Sequence, residues 1–415
     1  MPSPLLLPYL LVSLALAADP APLRLEDALS IARIQAPELR AADAHVDLAQ
    51  AERALARRPP DPRAELAWLP DEGAEARLTL DLTDLARVPS QVGLADARLD
   101  LARITAQAAA ARHAYAVRAA YYAAAAAEEA LALGQQTLDI QGVVRDATRA
   151  IAAAGNTSGL TLARREAAYA QAELSLAALI QAREEAHARL DGLLGPGAPA
   201  DWVAPPLPPV PAQEPLSPTE VTAASLDLAA ARATLEAVDR GADLALRQAR
   251  CPDLELSLLG TGQGAEARLG LGVEASLPVW GRGHAQGRAG QAQLGAATAA
   301  LDAEAAAVAT SARLATIRAA AAYAAATQLR EVALPLQAAV SQETLLHYNA
   351  MQVDLYALLD ARLAELAVAR AEIEARRAGW TALAATEALR AGARVEIEAS
   401  PSPVADSTTP LVGGH

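Results

Sequence analysis

The stretch GAEARL occurs twice in the chain, at residues 73–78 and again at 264–269. After each copy, apolar and polar residues alternate for about ten positions, which predicts a strand with one apolar face. A shorter alternating run precedes each copy, and the segments PDEG (70–73) and GTGQG (260–264) can close hairpins. We therefore predict strand pairs over residues 63–83 and 253–278. Strands of this length suit either a half-buried soluble sheet or a tilted crossing of a bilayer.

Long helices follow each predicted strand pair. No Gly or Pro lies between Gly93 and Gly134, or between Gly295 and Pro335. We predict helices over residues 88–153 and 284–347, each about 95 to 100 Å long at the usual rise per residue. Shorter helices are predicted at 38–58, 160–193, 227–249 and 355–391. Arg and Glu recur along the long segments, so coiled-coil hairpins are indicated and membrane-spanning helices are excluded.

The repeated order of segments divides the chain. We expect one repeat over residues 19–195 and a second over 219–392. The nine prolines of residues 196–218 predict an extended, stiff connector, and we expect residues 393–415 to be disordered. The apolar run at 5–16 and the Ala-Leu-Ala at 15–17 predict a secretory signal peptide over residues 1–18, although no Arg precedes the apolar run.

Composition excludes several classes of function. Hydrophobic residues make up 53% of the chain, yet Phe is absent and aromatics reach only 3%, which suits helices packed through small residues. The net charge of −14 disfavours a nucleic-acid partner. The single cysteine, Cys251, excludes an internal disulfide and is expected to be a buried small hydrophobe. We expect no catalytic residue, cofactor or metal, because histidines at zinc-ligand spacing and a GxSxG motif are both absent.

Three segments carry a resemblance to a known family. They are LRLEDALSIARIQAPELRAA (23–42), SLPVWGRGHAQGRAGQAQL (276–294) and HYNAMQVDLYALLDARLAEL (347–366). In this order and within a duplicated frame, they resemble the TolC family of outer-membrane efflux proteins over residues 23–391. The resemblance implies a mainly α fold with a small β part, in which duplicated antiparallel α-helical coiled-coil hairpins adjoin four strands. It also implies a homotrimer that forms one 12-stranded barrel in outer-membrane lipid.

The same resemblance implies a function. Proteins of this family are passive exit ducts of tripartite efflux pumps or type I secretion systems, with their helical part in the periplasm. They work with a periplasmic adaptor protein and an inner-membrane transporter.

Two helix reversals, at residues 153–160 and 347–354, would then form the periplasmic tip. The resemblance implies adaptor docking there, at Gly155, Asn156, Thr157, Ser158, Gly159, Asn349, Ala350 and Met351. It also implies a pore constriction at Asp360, with Asp354 and Tyr348, where a ring of three carboxylates would favour cations. Three positions depart from the family pattern, since Ala357, Val353 and Thr161 replace charged residues. A plain interhelical loop and a solvated surface Asp are the alternatives at these positions.

A periplasmic coiled-coil scaffold or adaptor protein without a channel is the alternative function. An adaptor would show one hairpin flanked by a split soluble β-domain, and a scaffold would not need the strand pairs. Dependence of the purified protein on detergent separates these classes from a channel.

Overall fold

The structure, a computed structural model, describes residues 21–69, 73–199, 201–212, 214–263, 266–276 and 281–395. The predicted signal peptide therefore lies outside the described residues. So do residues 70–72 and 264–265 of the predicted turns, residues 277–280, and the predicted tail from residue 396.

Each half of the chain builds two short helices, two strands and then a long helical hairpin. The first half contains, in order, α1 (Leu25–Gln35), α2 (Pro37–Ala56), β2 (Arg63–Leu69), β3 (Gly73–Asp81), α3 (Leu82–Ala153) and α4 (Gly159–Leu194). The second half contains α5 (Pro218–Ala224), α6 (Leu226–Arg250), β5 (Asp253–Gln263), β6 (Glu266–Ser276), α7 (Arg282–Gln328), α8 (Leu334–Asn349) and α9 (Leu355–Arg390). A π-helical turn, Leu329–Ala333, joins α7 to α8. Two further strands, β1 (Ala21–Pro22) and β4 (Trp202–Val203), complete the described elements.

The helix α3 is 72 residues long, which corresponds to about 110 Å. It begins at Leu82, six residues before the predicted start, because the carboxylate of Asp81 accepts a hydrogen bond from the Asp84 amide at 2.8 Å and caps the helix. The shorter helices α2 and α4 pack along it, and α6 and α9 pack along α7 and α3. The predicted coiled-coil hairpins are thus confirmed.

The four predicted strands form one antiparallel sheet in the order β2-β3-β5-β6. The two halves of the chain meet at its centre, where Ala76 of β3 lies opposite Gly260 of β5. The observed register places most of the leucines of the four strands on one face, whereas Leu259 lies on the other face, in register with Arg77. One row across the sheet comprises Ala64, Leu78, Leu258 and Leu271, and the next comprises Leu66, Ala76, Gly260 and Leu269.

The main hydrophobic core lies around the middle of α3 and contains or contacts five aromatic side chains, those of Tyr115, Tyr121, Tyr122, Trp202 and Trp380. Tyr121 and Tyr122 meet edge to face at 5.9 Å between ring centroids, and Tyr122 lies 5.3 Å from the ring of Trp380 on α9. The Tyr121 hydroxyl donates to the carbonyl of Leu23 at 3.0 Å. Residues of α1, α3, α4 and α9 therefore share one core, which joins the two halves of the chain.

The proline-rich segment differs from the simple connector that the sequence predicts. It is extended, but Trp202, Ala204 and Leu207 are buried in the main core. The strand β4 within it pairs in parallel with β1, a contact that the sequence analysis missed. The prolines that follow β4 have no amide hydrogen to donate to a sheet, so the segment can bury Leu207 between two proline pairs without forming a longer strand.

Two smaller expectations also differ from the structure. Residues 393–395 belong to the folded part, since Ala393 and Val395 are buried and the Arg394 amide donates to Asp227 at 2.6 Å. Cys251 is exposed, because it directly follows α6 at the start of the exit towards β5. None of the helices in the described part of the chain has the length and hydropathy that a membrane span requires.

Candidate functional site

The sheet exposes its apolar face. Leu66, Leu269 and Leu271 are 87%, 82% and 80% exposed. Soluble monomers rarely leave large aliphatic side chains of adjacent strands uncovered, and such a patch indicates contact with lipid or another protein. The exposed face therefore marks the sheet as a functional surface.

The opposite face of the sheet is mainly polar and charged. Arg63 lies 3.4 Å from Glu255 on β5, and Arg77 lies 3.4 Å from Glu75 on its own strand. Within the described residues, no strand pairs with the outer edge of either β2 or β6. Each edge therefore leaves backbone groups available to a further strand.

The first helix reversal, between α3 and α4, has defined backbone hydrogen bonds. The Gly155 amide donates to the carbonyl of Ala152 at 2.9 Å, and the Asn156 amide donates to Ile151 at 3.1 Å. This pair of bonds is the Schellman motif, which requires a residue with positive φ, here Gly155 at 74°.

The second reversal, between α8 and α9, repeats that motif with different residues. The Met351 amide donates to Tyr348 at 2.9 Å, and the Gln352 amide donates to His347 at 2.9 Å. Met351 thus occupies the position that Gly155 has in the first tip. Its φ is 59°, a backbone conformation that residues other than glycine rarely adopt, and the residue is 94% exposed. The two tips therefore share one backbone design, although only the first has the glycine that favours it.

The helix after each reversal is capped in the same way. Ser158 accepts a hydrogen bond from the Thr161 amide at 3.2 Å, and Asp354 accepts one from the Ala357 amide at 2.8 Å. The predicted constriction residue Asp354 is therefore an N-cap, with its charge held at the positive end of α9.

The predicted constriction residue Asp360 faces the first hairpin. Its carboxylate lies 3.3 Å from the Arg165 guanidinium of α4, and its side chain is 54% exposed. The same guanidinium lies over the ring of Tyr356, 5.0 Å from its centroid. The negative charge of Asp360 is thus partly balanced within its own protomer.

Tyr356 makes a second contact with the first hairpin. Its hydroxyl lies 3.0 Å from that of Thr148, a fully buried residue of α3. Because the Thr148 hydroxyl donates to the carbonyl of Val144 at 2.7 Å, the Tyr356 hydroxyl is the donor in this pair. Thr148, Arg165, Tyr356 and Asp360 form what we name the inter-hairpin cluster.

Three members of the inter-hairpin cluster, Thr148, Arg165 and Tyr356, were not predicted. The only signal in the sequence is the spacing of Tyr356 and Asp360, which places both on one face of α9. Their partners are distant in the chain, and Thr148 is separated from Tyr356 by 208 positions.

The first hairpin has further contacts of its own near its tip. Arg149 pairs with Glu166 at 2.9 Å, and Arg145 lies over the ring of Tyr169, 3.8 Å from its centroid. Arg145 also donates a hydrogen bond to Asp146, which lowers the pKa of that carboxyl. The contacts of Arg149 with Glu166 and of Arg145 with Tyr169 join α3 to α4.

The predicted adaptor-docking residues lie at the two helix reversals. Thr157 is half-buried, and the other seven are exposed. Tyr348, predicted at the constriction, is 37% exposed on the last turn of α8. No three His, Cys, Asp or Glu side chains in the described part of the chain are placed to hold a metal ion.

Comparison with known proteins identifies the fold. No protein-family model and no curated protein matches the chain. Solved structures do match it. The outer membrane protein VceC of Vibrio cholerae superposes with a TM-score of 0.69 at 17% identity, over 90% of this chain and 97% of that one.

Two other channels match over similar lengths. The MtrE outer membrane channel of Neisseria gonorrhoeae has a TM-score of 0.67 at 21% identity, over 89% of this chain and 90% of that one. The CmeC outer membrane channel of Campylobacter jejuni has a TM-score of 0.69 at 13% identity, over 91% and 87%. The chain therefore has the TolC-like fold of these outer-membrane channels.

Proposed function

We propose that the protein is the outer-membrane exit duct of an efflux or secretion system, without catalytic activity of its own. The observation that carries this proposal is the four-stranded sheet, with one exposed apolar face, one charged face and two open edges. Such a sheet is stable in lipid only when its edges are paired. Three copies that join β6 of one protomer to β2 of the next would close a barrel of twelve strands around a charged lumen.

The helices support the second part of the proposal. A rod of about 110 Å is far longer than a bilayer is thick, so the hairpins would extend through the periplasm. A periplasmic adaptor protein would dock at the exposed tips, and an inner-membrane transporter would supply the energy. We propose the same division of the chain as above, into a signal peptide, two repeats of 19–195 and 219–392, and the segment 196–218 between them.

The constriction is proposed at Asp360. Three copies of its carboxylate near the tunnel axis would favour cations. The nearby Arg165 opposes this preference, because each protomer contributes one guanidinium beside each carboxylate.

Planar-bilayer conductance of the purified full chain tests the duct. The protein is extracted in detergent, its mass is measured by light scattering, and it is then added to a bilayer. We expect a trimer with discrete conductance steps. A monomer that stays soluble without detergent and gives no conductance would favour the periplasmic scaffold or adaptor instead.

A matched variant makes the result specific. Replacing both Leu269 and Leu271 of the apolar face with Asp places charges where the proposal puts lipid. This variant should give no conductance, and detergent should no longer extract it from membranes. Conductance equal to that of the parent protein would contradict the proposed orientation of the sheet.

A further inference from the structure

The helices join the four-stranded sheet along a single border. Arg63, the first residue of β2, lies in register with Thr79 near the end of β3. Asp253, the first residue of β5, lies in register with Ser276, the last residue of β6. Because β3 and β5 are also antiparallel, the strand ends that lead to α2, α3, α6 and α7 lie side by side. We name this border the helix-side edge of the sheet.

The chain next to the helix-side edge is basic. Seven residues of sequence adjoin each strand there, at 56–62, 82–88, 246–252 and 277–283, and together they contain six arginines and two aspartates, a net charge of +4. The whole chain has the opposite balance, with a net charge of −14. Positive charge is therefore concentrated at one edge of the sheet in a protein that is acidic overall.

Only two of these six arginines have carboxylate partners. The side chain of Arg87 is 11% exposed and pairs with Asp253 at 2.8 Å, and Arg247 pairs with Asp243 of the same helix at 2.9 Å. The other four side chains are exposed, and none of them forms an ion pair or a side-chain hydrogen bond with the part of the chain that the structure describes. These four, which we name the basal arginines, are Arg57, Arg58, Arg250 and Arg282.

Two of the basal arginines come from neighbouring helix ends. Arg250 is the last residue of α6 and Arg282 is the first residue of α7. The side chain of Arg250 lies against Gly283, where an added Cβ would be only 2.8 Å from its Cγ. The first turn of α7 contains no acidic residue. Two like charges are thus brought near each other without a carboxylate from that turn, and an anion from outside the chain would relieve their repulsion.

The length of the strands places the basal arginines at the level of lipid headgroups. The strands β5 and β6 have 11 residues each, about the number that crosses the hydrocarbon core of a bilayer as a tilted strand. The helix-side edge then lies at the border of the hydrocarbon. Arg250 precedes β5 by three residues, which span at most about 11 Å, and Arg58 precedes β2 by five residues, which span at most about 18 Å. The long apolar stem of arginine lets its charged end reach further towards the headgroups.

We propose that the basal arginines bind the headgroups of anionic phospholipids in the leaflet that faces the periplasm. The planar guanidinium donates two parallel hydrogen bonds to a phosphate, and basic clusters beside a membrane-embedded element attract anionic headgroups. The proposal rests on the proposed function, because lipid surrounds the sheet only in the closed barrel. There, β6 of one copy joins β2 of the next, so the arginines at the bases of these two strands form a continuous band. The band holds the sheet at a fixed height in the membrane.

Spin-labelled lipids measure the preference for anionic headgroups. The full chain is reconstituted in phosphatidylcholine vesicles with a trace of phosphatidylglycerol or phosphatidylcholine that carries a spin label on an acyl chain. Lipid that contacts protein is motionally restricted, and the two restricted fractions give the relative association of the two lipids. We expect phosphatidylglycerol to be favoured by about two- to fivefold. Raising the salt from about 0.1 M to about 1 M shortens the Debye length from about 10 Å to about 3 Å and should remove most of this preference.

A fourfold variant and a matched control assign the preference to these side chains. Replacing all four basal arginines with glutamine should bring the ratio of the two lipids close to one. The control removes the same charge from four exposed arginines of the rods, none of which pairs with a carboxylate among the described residues. It consists of Arg164→Gln, Arg189→Gln, Arg330→Gln and Arg370→Gln, and it should keep the preference of the parent protein.

The restricted fraction of phosphatidylcholine separates this proposal from the duct. If both lipids are restricted to the same extent in the parent protein, the basal arginines do not bind headgroups, and the duct is unaffected. The same conclusion holds if the fourfold variant keeps the preference or if the control loses it as fully. If neither lipid is restricted, the sheet is not in the membrane, and both proposals fail.

Discussion

At the scale of single residues, the second tip retains a conformation that its sequence does not favour. Met351 adopts a left-handed backbone at the position where the first tip has Gly155. A side chain in this region costs roughly 1 to 2 kcal/mol, while glycine gains more freedom in the unfolded chain. Strained residues persist where the surrounding structure requires them, and they are frequent at functional sites.

Replacing this methionine with glycine should stabilise the second tip. For Met351→Gly we expect a net gain of about 0.5 to 1 kcal/mol, which slows amide hydrogen exchange at residues 350–355 by about two- to fivefold. Gly155→Ala is the control, and it should have the opposite effect, faster amide hydrogen exchange at the first tip. A Cβ at Gly155 would meet no atom within 4 Å, so faster exchange at the first tip would report backbone strain alone. Equal rates in all three proteins would show that neither tip is strained.

The charges at the proposed constriction give a second prediction. Asp360→Asn should lower the ratio of cation to anion permeability, and Arg165→Gln should raise it, each by about twofold or more. The two changes act in opposite directions because the side chains form one ion pair of opposite charges. Reversal potentials in a salt gradient measure the ratio. If neither variant changes it, these side chains lie outside the conducting path.

At the scale of elements, the sheet has two faces that should respond differently to charge. Leu271 is 80% exposed on the apolar face, whereas Thr79 lies on the opposite face. An arginine facing the middle of a bilayer costs about 2 to 4 kcal/mol, and one facing the lumen costs little. We expect Leu271→Arg to lower the urea midpoint of the trimer in lipid and Thr79→Arg to leave it almost unchanged. A larger loss of the urea midpoint in Thr79→Arg than in Leu271→Arg would show that the polar face, and not the apolar face, contacts lipid.

The proline-rich segment is held by one ionic network. Arg376 of α9 donates to Glu129 of α3 at 2.7 Å and to Glu372 at 2.8 Å, and Glu129 also accepts from the Leu207 amide at 2.8 Å. Burial alone would lower the pKa of Arg376, but these two carboxylates raise it. The two carboxylates therefore stabilise the charged form of the guanidinium.

Removing that guanidinium should loosen the segment. Arg376→Ala leaves two partly buried carboxylates unpaired, and we expect a loss of about 2 to 3 kcal/mol in the free energy of unfolding. Arg377→Ala on the same helix is the control. Its ion pair with Glu374 is largely exposed and contributes at most about 1 kcal/mol. Urea titrations followed by tryptophan fluorescence compare the variants, since the ring nitrogen of Trp380 donates to Pro208 of the same segment. Equal losses of unfolding free energy in the two variants would show that the ionic network does not hold the proline-rich segment.

At the scale of the whole molecule, the two halves are joined along much of their length, since α6 and α9 of the second half pack against α3 of the first. They share the centre of the sheet at β3 and β5, the aromatic core around Tyr121, and the inter-hairpin cluster near the tips. The first two contacts are extensive, whereas the third consists of a few polar side chains. The halves are therefore held firmly at the sheet and the core and loosely at the tips, where the proposed channel would open.

Much of this architecture followed from the sequence alone. Alternation around GAEARL predicted the strands, and the lack of Gly and Pro predicted the long helices, because these patterns reflect local backbone geometry. Capping by Asp81 and the π-helical turn before Pro335 are also local, yet they shifted or divided helices whose general positions were correct.

Only the tertiary structure decided which distant residues meet. The burial of Trp202 and Leu207, the pairing of Arg376 with Glu129, and the contact of Tyr356 with Thr148 depend on how rods of about 110 Å align side by side. If one helix shifted by a turn along its neighbour, the sequence pattern of each helix would be unchanged, but each side chain would contact different residues of the neighbour. For this reason the sequence by itself determined the elements and their order, while the packed molecule determined where Asp360 lies and what holds it.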